Sequence, residues 1–172
     1  MNRLLSATAF FAVISPFLAF PALAQTATDT FGVSLTVEAE CTLSAEDLAF
    51  GSTGIVDTDI DAEANLTVQC TEGSPYAIGL SAGAGIGATE TARLLTHTTV
   101  PANTAAYQIF QETGRTTNWG NTEGVDTVDS AAATGADETV TVYGRVPGGQ
   151  NVPSGEYGDT VTATIWYGTA LL

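Results

Sequence analysis

The sequence predicts an antiparallel β-sandwich, and three observations carry that expectation. Beyond residue 24 the chain holds 27 Thr, all 18 of its Gly and many Val. Thr and Val suit the pleated, half-buried surface of a sheet, and scattered Gly marks turns. Apolar and polar residues alternate with a period of two in segment after segment, while no stretch shows sustained helical periodicity.

The elements follow in order. Residues 30–40 set Phe31, Val33, Leu35, Val37 and Ala39 on one side and polar residues or Gly on the other. Residues 64–70 alternate Ala64, Leu66, Val68 and Cys70 with Asn65, Thr67 and Gln69. Further strands are predicted at 75–81, 93–96, 104–111, 138–146 and 157–168. In the last, Val161, Ala163, Ile165 and Tyr167 share one face, opposite Thr160, Thr162, Thr164 and Trp166. About seven short strands joined by turns rich in Gly, Asp and Thr form one sandwich domain. Residues 120–138 are polar, acidic and rich in Gly, Ala and Thr, and read as a mobile surface loop.

Export is written at the N-terminus. Arg3 precedes an apolar run from Leu4 to Phe20, and Ala22 and Ala24 are the small residues a signal peptidase reads. Residues 1–24 are therefore expected to be a signal peptide, cleaved before Gln25. A retained membrane anchor is the alternative, but the run is short and Gln25–Asp29 breaks it at once. In an oxidising compartment, Cys41 and Cys70 are expected to pair as a disulfide.

Removing residues 1–24 leaves three Arg against nineteen acids, a net charge of −16. Such a surface repels nucleic acid and anionic lipid. The absence of Lys excludes Schiff-base and phosphate-loop chemistry, and a single His leaves little for acid–base or metal sites. Composition argues against an enzyme and implies no cofactor and no metal.

Several strings resemble functional motifs and read better as structure. Gly83–Ala88 fits the loose G-x-G-x-x-A pattern, but another short β-like run follows it where a helix would be needed. Asp57, Asp59, Asp61 and Glu63 start like a calcium loop, yet Ala62 replaces the required Gly and Val68 the bidentate acid, so a solvated acidic loop is expected. His97 has no nucleophile elbow to serve. The sequon at Asn65 falls inside a predicted strand. Tyr157 stands where a tyrosine corner of a Greek-key sandwich would lie, with an exposed ligand-stacking ring as the alternative. Trp119 is expected in the core.

An ordered set of strings then points to a family. These are Cys41-Thr42-Leu43, Val68-Gln69-Cys70-Thr71, Gly73 to Leu80, Tyr107-Gln108-Ile109-Phe110 and Arg115 to Gly120. A C-terminal block follows, from Val142 to Pro147 through Gln150, Pro153, Gly155 and Tyr157 to Val161. Together they resemble the spore coat protein U family, which includes pilin subunits of archaic, Csu-type chaperone–usher pili. The acidic 120–138 stretch matches no family motif.

The resemblance implies an immunoglobulin-like sandwich lacking its last strand, over residues 41–172. A donor strand within 25–40, presenting Phe31, Val33, Leu35, Val37 and Ala39, would complete the neighbouring subunit. The acceptor groove would include Val161, Ala163, Ile165 and Tyr167 on the final strand. Implied partners are identical or related subunits, a periplasmic chaperone and an outer-membrane usher, with an extracellular fibre as destination. Alternation alone leaves open whether 30–40 is instead the first strand of its own sandwich. A minor, tip or coat subunit and a secreted monomeric module binding carbohydrate or metal are the rivals. A hydrolase built on acids such as Asp126 and Asp129 is a third.

Overall fold

The computed structural model describes residues 24–168. The signal-peptide reading of residues 1–24 lies outside them, apart from Ala24. The chain divides into a segment ending at Leu35 and a compact unit beginning at Thr36. Within the first, residues 24–35 form no strand and are exposed throughout.

The compact unit is all-β, with nine strands among the described residues: β1 Cys41–Ala45, β2 Ile60–Cys70, β3 Tyr76–Leu80, β4 Arg93–His97, β5 Thr104–Phe110, β6 Val128–Ser130, β7 Glu138–Val146, β8 Tyr157–Gly158 and β9 Ala163–Tyr167. They form a six-stranded sheet, β1-β2-β7-β5-β4-β8, and a three-stranded sheet, β6-β3-β9. Every pairing is antiparallel.

The period-two pattern decides what each strand buries. Ala64, Leu66, Val68 and Cys70 of β2 face inward, the face the alternation predicts, and β2 begins four residues before the predicted 64–70. Leu66 stands opposite Val140, and Ala64 opposite Val142. These side chains meet Tyr76, Ile78 and Leu80 of β3, so the core lies between the sheets. Trp119 is fully buried there and its Nε1 donates to the Ile78 carbonyl at 2.7 Å, as its expected core position requires. Cys41 stands opposite Cys70 across β1 and β2, and the two form the expected disulfide.

Two predicted segments need correction. Residues 157–168 are two strands rather than one: β8 pairs with β4 in the large sheet, and β9 pairs with β3 in the small one. The chain changes sheets between Gly158 and Ala163, where Ser81 Oγ accepts from Thr162 N and Asp159 binds donors on three sides. Residues 120–138 are not a free loop. They contain β6, whose Val128 pairs with Ile78, and they bury Thr127 and Ala133. The acids there bond local donors: Asp126 accepts from Thr122 N at 2.7 Å, Asp129 from Thr127 Oγ1, and Glu138 from Thr134 N.

Candidate functional site: an open groove in the sandwich

The two sheets leave a groove on one side of the core. β9 pairs with β3, and no strand among the described residues takes its other edge. A groove of about 1140 Å³ runs there, with Leu66, Leu80, Tyr107 and Val142 among its lining residues. Those four are buried core side chains, and Leu48, Phe50, Leu95, Val161 and Ala163 around them are only partly buried. One flank is the segment 45–54, the other residues 152–161.

The 45–54 flank explains part of the opening. Glu46 N donates to Asn65 O, and Gln150 N donates to Val56 O. Between those anchors, residues 47–55 make no backbone–backbone hydrogen bond to any described residue. Leu48 and Phe50 hold this flank by packing on Gly144, where an added Cβ would lie within 3 Å of each. Phe50 also meets the Tyr107 ring edge-on at 6.0 Å. Sequence reading missed both residues, because 46–54 lacks the alternation that marks a strand.

Of the expected acceptor residues, Val161 and Ala163 line the groove. Ile165 packs against the core further along β9, and Tyr167 is 41% exposed opposite Tyr76; neither lines it. The proposed donor side chains lie in no strand. Phe31 is 87% exposed, Val33 85%, Leu35 87% and Val37 69%, and Ala39 is exposed too. Within the compact unit, Thr71 N donates to Glu40 O, and Thr71 Oγ1 donates to Glu38 O. Ala39 sits against Gly168, at the end of β9 away from Val161. Residues 38–40 of the compact unit and the groove residues Val161 and Ala163 therefore lie toward opposite ends of the last strand.

The remaining motif-like residues have structural work. Gly83 has φ +87°, and a Cβ there would collide with the Asp159 carboxylate, which accepts from Ala84 N at 2.7 Å. The glycine string is a turn shaped around that carboxylate. Asp57, Asp59, Asp61 and Glu63 are all exposed, but Asp61 and Glu63 lie in β2 rather than in a loop, and Arg145 makes a bidentate pair with Asp61, at 2.7 and 2.8 Å, and reaches Asp59. Arg115 reaches Asp61 and Glu63. The Arg145 hydrogen bond holds the Asp61 carboxyl below its ordinary range. These acids neutralise arginines instead of facing a cation together.

His97 is buried, and its Nδ1 accepts from the backbone N–H of Thr99 and Val100. Its ring meets Tyr157 edge-on at 4.9 Å. Tyr157 Oη donates to the Pro153 carbonyl four residues upstream at 2.8 Å, the bond of a tyrosine corner. Asn65 is bound to Glu46 and Thr141, which accounts for its polar group inside a strand.

The Spore Coat Protein U domain family matches residues 27–164, which spans most of the chain. The chain belongs to that family. It is 34% identical over 181 residues to Protein U of Myxococcus xanthus, covering 97% of this chain and all of that protein. Among solved structures, it resembles a chain of the CsuC–CsuE chaperone–tip adhesion subunit pre-assembly complex, from archaic chaperone–usher Csu pili of Acinetobacter baumannii. That likeness has a TM-score of 0.57 at 22% identity and covers 76% of this chain, which spans 40% of the solved chain's length. The Escherichia coli Hda pilus minor tip subunit HdaB matches with a TM-score of 0.42 at 19% identity, over 74% of this chain and 82% of that one. The likeness to the Csu complex is one of immunoglobulin-like fold.

Two residues from the strings that suggested the family stand at joints of the frame. Gln150 closes a two-way bond with the backbone of Ala106, at 2.7 and 2.9 Å. Arg115, at φ +53°, bonds the Gly144 carbonyl and lies over the Tyr143 ring. Gln150 thus ties the segment after β7 to β5, and Arg115 ties its own turn to β7.

Proposed function

We propose that the chain is a subunit of a chaperone–usher surface fibre, assembled head to tail by donation of a strand from residues 25–40. One observation carries the reading. An alternating apolar segment is left outside every sheet, and a groove floored by core side chains runs beside the free edge of β9, the two features that a strand exchange requires. An added strand would form a backbone ladder on that edge and send alternate side chains into the core.

Phe31, Val33, Leu35, Val37 and Ala39 are the side chains to be buried in the neighbour. Each large one contributes about 1.5–3 kcal/mol on full burial. Their gross total is on the order of 10 kcal/mol, reduced by the cost of ordering the segment. A monomeric module would fold 30–40 into its own sheet, and those residues lie in none.

Donation of a segment from one copy into the groove of the next joins two different surfaces, a heterologous contact that does not close on itself and so extends into a filament. Export, passage through the periplasm with a chaperone strand in the groove, and release at an outer-membrane usher follow from this reading. The partners are then further copies of the chain or related subunits. The donor segment suits a position within the fibre, and the role is structural, without catalysis.

The test is assembly of the exported protein and its Leu35→Asp variant, followed by size distribution and electron microscopy. Native protein should form long species that resist dissociation. The variant should stop at short ones, since its carboxylate cannot enter an apolar groove. Equal assembly of the two, or a native protein that stays monomeric at high concentration, would overturn the proposal.

A further inference from the structure

The groove mouth and the segment proposed to fill it carry charge of the same sign. Residues 25–40 contain Asp29, Glu38 and Glu40 and no basic residue. Glu46, Asp47 and Glu156 line the groove and are exposed. Asp159 lines it as well, with its carboxylate bound to Tyr107 and Ala84. The groove lining contains no Arg, Lys or His.

The chain has little to offset this. It has no Lys, and the arginines among the described residues are engaged elsewhere. Arg93 is fully buried on backbone carbonyls, while Arg115 and Arg145 pair with acids of β2. Nothing basic among the described residues stands ready to attract an acidic strand.

We propose, resting on the strand-acceptor reading above, that charge sets the order in which the groove is filled. Its acidic mouth admits a cationic partner strand quickly and the chain's own acidic segment slowly. Apolar burial decides how tightly a strand is held, whereas long-range charge acts on the encounter. A subunit of this kind is captured first by a basic strand from another protein. Exchange for the acidic segment of the next copy follows, and premature self-association is suppressed wherever ionic strength is low. The fitting first partner is a polypeptide edge strand flanked by Lys or Arg.

The experiment uses the full chain with Leu35→Asp, which removes its own donor. Two labelled peptides spanning residues 25–40 are compared, one native and one with Asp29→Lys, Glu38→Lys and Glu40→Lys. Association rates are measured between roughly 0.02 and 0.2 M salt, a range over which the screening length shortens severalfold. The lysine peptide should associate about tenfold faster at the low-salt end, and the difference should shrink as salt rises. Adding Glu46→Gln, Asp47→Asn and Glu156→Gln to the acceptor, all at exposed positions, should narrow it further. Equal rates without salt dependence would overturn the charge proposal and leave strand donation standing. Binding of the lysine peptide alone would uphold the charge proposal and overturn donation of the native segment. Failure of both peptides to bind would overturn both.

Discussion

The Tyr107 hydroxyl donates to Asp159 Oδ2 at 2.7 Å, joining β5 to the point where the chain leaves one sheet for the other. The other carboxylate oxygen accepts from Ala84 N and from Thr160 N, each at 2.7 Å. One side chain thus fixes a groove flank, the glycine turn and the sheet crossing. Burial, with the nearby carboxylate, pushes the Tyr107 phenol well above its usual value and keeps it a donor. Tyr107→Phe should cost about 1.5–3 kcal/mol in urea unfolding, the range for a hydrogen bond to a charged group. A cycle with Asp159→Asn should show coupling of the same order, and strictly additive effects would mean the contact contributes little.

Arg93 makes a different case. It is fully buried, and its guanidinium donates to the carbonyls of Ser81 at 2.9 Å and of Leu80 and Trp119 at 2.8 Å each. Burial lowers its pKa, opposed by the Tyr107, Glu90, Asp159 and Asp126 fields. Removing the side chain leaves those carbonyls without their donor. Arg93→Ala should therefore destabilise by about 3–5 kcal/mol. Arg93→Lys should recover only part, because an ammonium cannot copy the planar fork. Full recovery by Lys in thermal unfolding would show that charge alone matters here.

Arg93 also shows where the sequence stops being legible. The β class, the inward face of β2 and the core position of Trp119 follow from local alternation and size, which the sequence displays openly. A buried arginine held by the carbonyls of Leu80, Ser81 and Trp119 has no local signature. The strand change within 157–168 is hidden for a related reason: the alternation continues while the hydrogen-bonding partner changes from β4 to β3. Residues 120–138 misled through composition, since acids that bond their own backbone look the same in sequence as acids in water. The groove was legible only in outline. Val161 and Ala163 reach it, but the Leu48 and Phe50 flank depends on Gly144 from a distant strand.

The Cys41–Cys70 bridge crosses the β1–β2 ladder and closes a separation of 29 residues. Chain-entropy arguments assign a loop of this size about 3–4 kcal/mol. The bridge also anchors β1 just before the groove flank. Reduction, or Cys41→Ser with Cys70→Ser, should lower stability by that amount. Hydrogen exchange should rise first in Thr42–Glu46, where β1 is an edge strand. Unchanged exchange there would show that the β1–β2 ladder holds without the bridge.

Alkali should weaken the fold through Tyr76. Its hydroxyl joins the two sheets by donating to Glu138 Oε2 at 2.8 Å. Burial first, and the Glu138 hydrogen bond second, push its pKa from 10.0 up to about 12. The folded form thus keeps a proton that the unfolded chain loses near its ordinary value. The contribution is fully present below that value and is lost as pH climbs from 10.0 through about 12. A shift of this size corresponds to about 2–3 kcal/mol. Acid acts through the partner: hydrogen bonds from Thr134 and Tyr76 hold the Glu138 carboxyl below its normal range. That contribution is present above the ordinary carboxylate value and fades as pH falls through the lowered one. Urea midpoints across the alkaline range should drop steeply for the native protein and less for Tyr76→Phe, which starts lower. Parallel curves would place the alkaline loss at another phenol, with Tyr107 the first to examine.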